Sequence, residues 1–232
     1  MFSQETFGTP KCVAQNEPHL ACVLLLDTSG SMQGTPIESL NQALQAFKDK
    51  VSLDKMAQKR VDIAIVEFND TVNVVQEFTP ILEMTPVRLV ADGGTSMGAG
   101  INKAIDMVKE RNRFYAEMGT PCFKPWIFMI TDGAATDDIE RARQRIQEEE
   151  HKGACGKLNF FALGVAGYDK NTLFTLTKMV LELRDTDFSG IFNWMGDNMV
   201  AIFVSQVGLE PPLHLLPINA RKADSSRDVS DW

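Results

Sequence analysis

Apolar and polar positions fall into blocks with two distinct periods along the chain. Residues 20–26, LACVLLL, are uninterrupted apolar. A short run with no polar face is the pattern of a strand covered on both sides. It stops abruptly at Asp27. GTPIESL (34–40) opens a helix in which Ile37, Leu40, Leu44, Phe47 and Val51 recur at helical spacing and form one apolar stripe. Thr35 is expected to cap that helix, with Pro36 at its first position and Glu38 completing a capping box. VDIAIVEF (61–68) reads as a second strand. The Asn69–Asp70 turn then leads to TVNVVQEF (71–78), its expected antiparallel partner. A Gly-rich stretch, ADGGTSMGAG (91–100), precedes a helix with Ile101, Ile105 and Val108 on one face. PWIFMIT (125–131) is another short buried strand. DDIERARQRIQEEEHK (137–152) is a mostly solvated helix, its acidic start favoured by the helix dipole. KLNFFALGV (157–165) and VLELRD (180–185) read as strands. KNTLFTLTKM (170–179) reads as a short helix. Residues 188–207 read as a long helix whose aromatic and Met side chains are packing.

Strands alternating with helices predict an α/β fold: a doubly wound, mostly parallel sheet with helices on both faces. The 61–78 hairpin adds one antiparallel edge strand. The expected boundaries are an N-terminal extension at 1–19, a domain at 20–208 and a C-terminal tail at 209–232. The tail carries Pro211, Pro212 and Pro217, and its apolar part LHLLP is expected to pin it. The length of 232 residues suits one α/β domain or two small ones, and neither repeat nor linker divides it.

Composition narrows the partners. The net charge of −8 argues against nucleic acid, which needs a basic face, and is compatible with cations or a basic protein surface. Cys12, Cys22, Cys122 and Cys155 are scattered with no CxxC pair, as reduced thiols of a cytoplasmic protein would be. His19, His151 and His214 are equally dispersed, which disfavours a zinc site. MFSQETFGTPKC has neither the basic start nor the apolar core of a signal peptide. No apolar run is long enough to span a membrane.

Three polar segments sit where a doubly wound sheet binds ligands, beyond the carboxyl ends of strands where strand order reverses. They are DTSGS (27–31), GGTS (93–96) and TDG (131–133). If the first strand neighbours the 125–130 strand, then Asp27, Ser29, Ser31, Thr95 and Asp132 meet in one crevice. Two carboxylates and three hydroxyls are hard oxygen donors. They suit Mg²⁺ at ~2.1 Å in near-octahedral geometry, with Mn²⁺ or Ca²⁺ as substitutes. Alternate spacing at 27, 29 and 31 aims three side chains to one side, and Gly30 lets the loop turn tightly. Two carboxylates neutralise a divalent ion without surrounding it. Such an ion stays electrophilic and accepts an outside carboxylate, which describes a recognition site better than a buried structural ion.

Other readings of these segments fit less well. DTSGS alone is also a plain polar turn after a strand. Asp27, Ser29, Ser31 and Glu38 match positions of a calcium-binding EF-hand loop. However, Met32 occupies the position that needs Gly, and a strand precedes the loop. A haloacid-dehalogenase-like phosphatase needs a second Asp as general acid where Ser29 stands, and a hydroxyl is a poor proton donor. GGTSMGAG lacks the GK[ST] ending of a phosphate-binding loop, and Lys103 is misplaced. The chain has no GxSxG elbow.

Taken together, DxSxS at 27–31, Thr95 in GGTS and Asp132 in ITDG resemble the metal-ion-dependent adhesion site of von Willebrand factor type A domains. The segment order matches over about residues 20–207. LLLDTSGSM, GGTSMGAGI, KPWIFMITDG and FNWM narrow the resemblance to the bacterial TerY-type proteins of tellurite-resistance operons. The resemblance implies that Ser29 and Ser31 ligate the metal directly and that Asp27 acts mostly through water. It implies that Thr95 and Asp132 act directly or through water. It also implies a cytoplasmic, non-enzymatic interaction module in a tellurite or stress-resistance system. The partner would donate an acidic side chain, and a protein kinase and a PP2C-like phosphatase are its implied associates. The alternative is a metal-dependent phosphohydrolase using the same crevice. The tail serines Ser225, Ser226 and Ser230 are candidate phosphorylation sites.

Overall fold

The computed structural model describes residues 16–151, 158–165, 167–205 and 213–224. Cys12, Cys155, most of the N-terminal extension and the three tail serines lie outside them.

The strands are β1 (Leu20–Asp27), β2 (Val61–Phe68), β3 (Val72–Pro80), β4 (Trp126–Thr131), β5 (Asn159–Gly164), β6 (Val180–Leu183) and β7 (Ala220–Lys222). They form a seven-stranded sheet in the order β3-β2-β1-β4-β5-β6-β7. β2, β1, β4, β5 and β6 are parallel to their neighbours within that run, whereas β3 and β7 pair antiparallel at the two edges. The helices are α1 (Thr35–Leu53), the single turn α2 (Ala57–Arg60), α3 (Met97–Glu117), α4 (Glu140–His151), α5 (Lys170–Leu176) and α6 (Ser189–Val204).

The central strand explains the two-sided core. All eight residues of β1 are buried. Strand alternation sends Leu20, Cys22, Leu24 and Leu26 to the face shared with Leu40, Leu44 and Phe47 of α1 and Phe192 and Met195 of α6. Val23 and Leu25 point to the opposite face, against Ile101, Ala104 and Ile105 of α3 and Ala142 and Ile146 of α4. β3 instead alternates between half-buried and exposed positions, as an edge strand with one wet face does. α3 lies close to the sheet because Gly100 has no side chain. A β-carbon there would stand 3.2 Å from Phe68 Cβ and 3.3 Å from Leu25 Cδ1.

Two expectations are corrected. The sheet has a second antiparallel edge strand, β7, drawn from residues read as tail. The LHLLP segment is also held by polar bonds: Trp194 Nε1 donates to the His214 carbonyl at 2.8 Å, and His214 N donates to Asn198 Oδ1 at 2.8 Å. Leu215 is 96% exposed, whereas Leu216 is half-buried and packs against the core. At α1, Thr35 lies inside the helix and the cap residue is Gly34, with φ +80° and no side-chain capping bond. A positive φ suits glycine. It lets the chain leave the preceding turn and enter the helix one residue early, so no capping box forms.

Candidate metal centre

β1 is flanked by β2 on one side and β4 on the other, so the order reverses between β1 and β4. Their carboxyl ends deliver Asp27 and Asp132 to the same place. A short helical turn at Gly30–Met32 follows β1 and carries Ser31. Three backbone bonds hold the segment after β1, one to the end of β2 and two to the loop before α3. Thr28 N donates to Phe68 O at 2.9 Å, Asp92 N to Thr28 O at 2.8 Å, and Gly30 N to Gly93 O at 2.9 Å.

Four of the five side chains anticipated from sequence, Asp27, Ser29, Ser31 and Asp132, are linked by hydrogen bonds, and Thr95 lies beside them. Ser31 Oγ donates to Asp132 Oδ1 at 2.6 Å, and the Ser29 and Ser31 hydroxyls lie 3.1 Å apart. Ser29 N donates to Asp27 Oδ1 at 2.8 Å. Thr95 joins them over Gly133. A β-carbon at Gly133 would stand 3.6 Å from Thr95 Oγ1 and 3.7 Å from Ser31 Oγ. Thr95 is 6% exposed, and its hydroxyl makes no hydrogen bond among the described residues. The group grades from buried to open: Asp27 and Ser29 are buried, Asp132 is half-buried, and Ser31 is exposed.

Burial pushes the Asp27 carboxyl above the usual carboxylate range. Hydrogen bonds from Ser29 and Thr131 pull it down, and the neighbouring Asp132 carboxylate pushes it up. A cation between the two carboxylates relieves both the burial cost and the repulsion.

The donor set fits a hard divalent ion. No three His, Cys, Asp or Glu side chains converge among the described residues. Any cation here must therefore rest on hydroxyl as well as carboxylate oxygen, which disfavours soft metals held by thiolate. The cradle over Gly133 and the unpaired Thr95 hydroxyl supply what a two-carboxylate site otherwise lacks.

Two supporting residues were not anticipated. Thr131 Oγ1 donates to Asp27 Oδ2 at 2.5 Å, fixing the carboxylate from the β4 side. Its signal was a polar residue ending the apolar strand WIFMIT, whose alternation turns it away from Asp132. Asp70 Oδ1 accepts from Gly94 N at 2.7 Å and holds the loop before Thr95. Gly93 sits at φ +76°, and a β-carbon there would stand 2.4 Å from Asp70 Oδ2. Gly93→Ala is therefore expected to lose about 1–3 kcal/mol of stability. Denaturant unfolding monitored by circular dichroism checks it.

The von Willebrand factor type A domain family model matches residues 22–189, and the chain belongs to that family. Among curated proteins, none matches it significantly. Solved structures do. The pilus adhesin SpaC from Lactobacillus rhamnosus GG, in its open conformation, is 13% identical with a TM-score of 0.65, over 83% of this chain and 31% of that one. A von Willebrand factor type A protein from Catenulispora acidiphila is 18% identical with a TM-score of 0.61, over 78% of this chain and 43% of that one. Proximal thread matrix protein 1 from the mussel byssus, described with a zinc-occupied MIDAS motif, is 16% identical with a TM-score of 0.54. That match covers 80% of this chain and 48% of the other. At such identities the likeness is one of fold. The chain spans 31% to 48% of the length of these structures.

Proposed function

We propose that this chain is a metal-dependent protein-interaction module. Asp27, Ser29, Ser31, Thr95 and Asp132 would hold a divalent cation, Mg²⁺ first and Mn²⁺ or Ca²⁺ as substitutes. Ser29 and Ser31 would ligate directly, Asp27 mostly through water, and Thr95 and Asp132 directly or through water. When bound, the cation supplies attraction for an acidic side chain from a partner. The observation that carries the reading is the gathering of these side chains beyond the ends of β1 and β4, with Ser31 Oγ 2.6 Å from Asp132 Oδ1 and Thr95 Oγ1 beside Gly133. Ser31 and Asp132 leave the solvent side open to a second molecule.

Among the described residues no histidine bonds to the group's hydroxyls; Ser29 and Ser31 bond to each other and Ser31 to Asp132. That favours recognition over hydrolysis, and we place the chain outside the enzymes. The stretches LLLDTSGSM, GGTSMGAGI, KPWIFMITDG and FNWM are the ground for placing it in the TerY-like group, cytoplasmic and within a tellurite or stress-resistance system. A protein kinase and a PP2C-like phosphatase are then the first partners to test. Among the described residues no helix is long and apolar enough to cross a membrane.

The test is capture of partners from native cell extract on the immobilised full chain, with Mg²⁺ or with EDTA. Partners retained in Mg²⁺ and released by EDTA are expected, with Asp27→Ala capturing none. Equal capture in both buffers contradicts the reading. So does turnover of phosphoester substrates that disappears in Asp27→Asn.

A further inference from the structure

Thr95 belongs to no strand or helix. It is the last but one residue of the irregular stretch 84–96 that leads into α3. Its placement therefore depends on what holds that stretch. Asp70 and Gly30 hold it at Gly94 and Gly93, but Thr95 itself is gripped from the segment after β4. Thr95 N donates to Thr136 Oγ1 at 3.1 Å, and Thr136 N donates back to Thr95 O at 3.0 Å. One residue further on, the Asp137 carboxylate receives Gly98 N at 2.9 Å and Ala99 N at 2.8 Å. The first amides of a helix lack intrahelical partners. Here an aspartate from another loop fills them, with its charge at the favourable end of the helix dipole. The fit is close, since a β-carbon on Gly98 would stand 2.3 Å from the Asp138 carbonyl oxygen.

These four bonds have one consequence for the metal centre. The loop that carries Asp132 continues directly into residues 136 and 137, which clasp the loop that carries Thr95. Neither Thr136 nor Asp137 belongs to the five-residue donor group. We propose that Thr136 and Asp137 are positioning residues: they hold Thr95 over Gly133 opposite Ser31, and so set the affinity for the cation. This rests on the metal-centre reading. It makes the 132–137 loop and the start of α3 a single unit, so a shift of one displaces a donor on the other.

Mn²⁺ titration followed by electron paramagnetic resonance tests it on the full chain. Thr136→Val keeps shape and charge but removes the acceptor for Thr95 N. It is expected to weaken Mn²⁺ binding about tenfold or more, with Thr136→Ser restoring it. Asp137→Asn is expected to weaken it similarly. Asp138→Asn is the control. It removes the same charge one residue on, where the carboxylate receives Glu140 N at 2.9 Å, and it should leave Mn²⁺ affinity unchanged. In metal-free protein, amide exchange at Thr95 should accelerate in Thr136→Val, and at Gly98 and Ala99 in Asp137→Asn. If the unaltered chain binds Mn²⁺ and both Thr136→Val and Asp137→Asn bind it equally well, the positioning role is wrong and the metal centre stands. If Asp138→Asn weakens binding as much as Asp137→Asn, charge explains the effect and the positioning role is wrong. If the unaltered chain binds no Mn²⁺, the metal centre and this inference fall together.

Discussion

Arg111→Met is expected to cost about 3–5 kcal/mol of stability and about 6–20 °C of melting temperature in a domain of this size. Arg111 lies at the far end of the sheet from the metal centre, on α3, and only 4% of it is exposed. Its Nη2 donates to Asp62 Oδ2 at 2.9 Å, and Asp62 is fully buried at the start of β2. His19 Nδ1 stands 3.1 Å from the same oxygen, and the Tyr115 hydroxyl donates to it as well. The guanidinium also lies over the Phe114 and Tyr115 rings, at 4.9 and 5.0 Å from their centroids. Burial raises the Tyr115 phenol well above its ordinary range, and the Asp62 charge adds to it, so Tyr115 acts as a neutral donor. Asp62 Oδ1 is buried without a hydrogen-bond partner among the described residues, so the carboxylate leans on the partners of its other oxygen. Removing the one permanent cation strands a buried charge, which is the costly way to break such a pair. The double variant Arg111→Met, Asp62→Asn should recover much of the loss, because no ion is then left uncompensated. Thermal unfolding of the single and double variants measures this. A single variant as stable as the parent contradicts the electrostatic reading of the cluster.

Asp27→Ala carries the second large effect, and it appears only when metal is present. A ligand at a hundred times its dissociation constant stabilises the folded state by about 2.7 kcal/mol, or about 5–11 °C for this domain. The unaltered chain is expected to gain that amount in Mg²⁺ or Mn²⁺ and to lose it on adding EDTA. Asp27→Ala should gain none. Without metal the variant is spared the cost of burying a carboxylate, so its baseline stability is expected to change far less than its response to the cation. Calorimetric melting with and without metal separates the two. A metal-dependent rise that persists in Asp27→Ala contradicts the proposed donor set.

Much of this was legible in the sequence because burial on two faces leaves a plain trace. LACVLLL and PWIFMI are continuous apolar runs, and VDIAIVEF is apolar but for Asp62 and Glu67, since central parallel strands have no wet side; each became a strand of the sheet. The five polar residues could be gathered from three distant segments because a doubly wound sheet sends its strand ends to one edge. The structure brings those side chains together. What stayed hidden depended on partners far away in sequence. β7 is three residues long and gains its register from β6 across the edge, so ARK carries no strand signal of its own. The start of α1 depended on a positive φ at Gly34, against the capping pattern that Thr35 and Glu38 present. Thr131, Thr136 and Asp137 act through bonds to positions 38 to 104 residues away, which no local spacing encodes. The same holds for Asp62, Arg111, His19 and Tyr115, which read separately as charges, a histidine and an aromatic in four different places.

The central claim is that Asp27, Ser29, Ser31, Thr95 and Asp132 hold a divalent cation open to a partner. Calorimetric titration of the full chain with Mg²⁺ and with Mn²⁺, beside Asp132→Ala, tests it most directly. The predicted result is one saturable site per chain that Asp132→Ala loses. No heat of binding at millimolar metal, or a site that survives in Asp132→Ala, would contradict it.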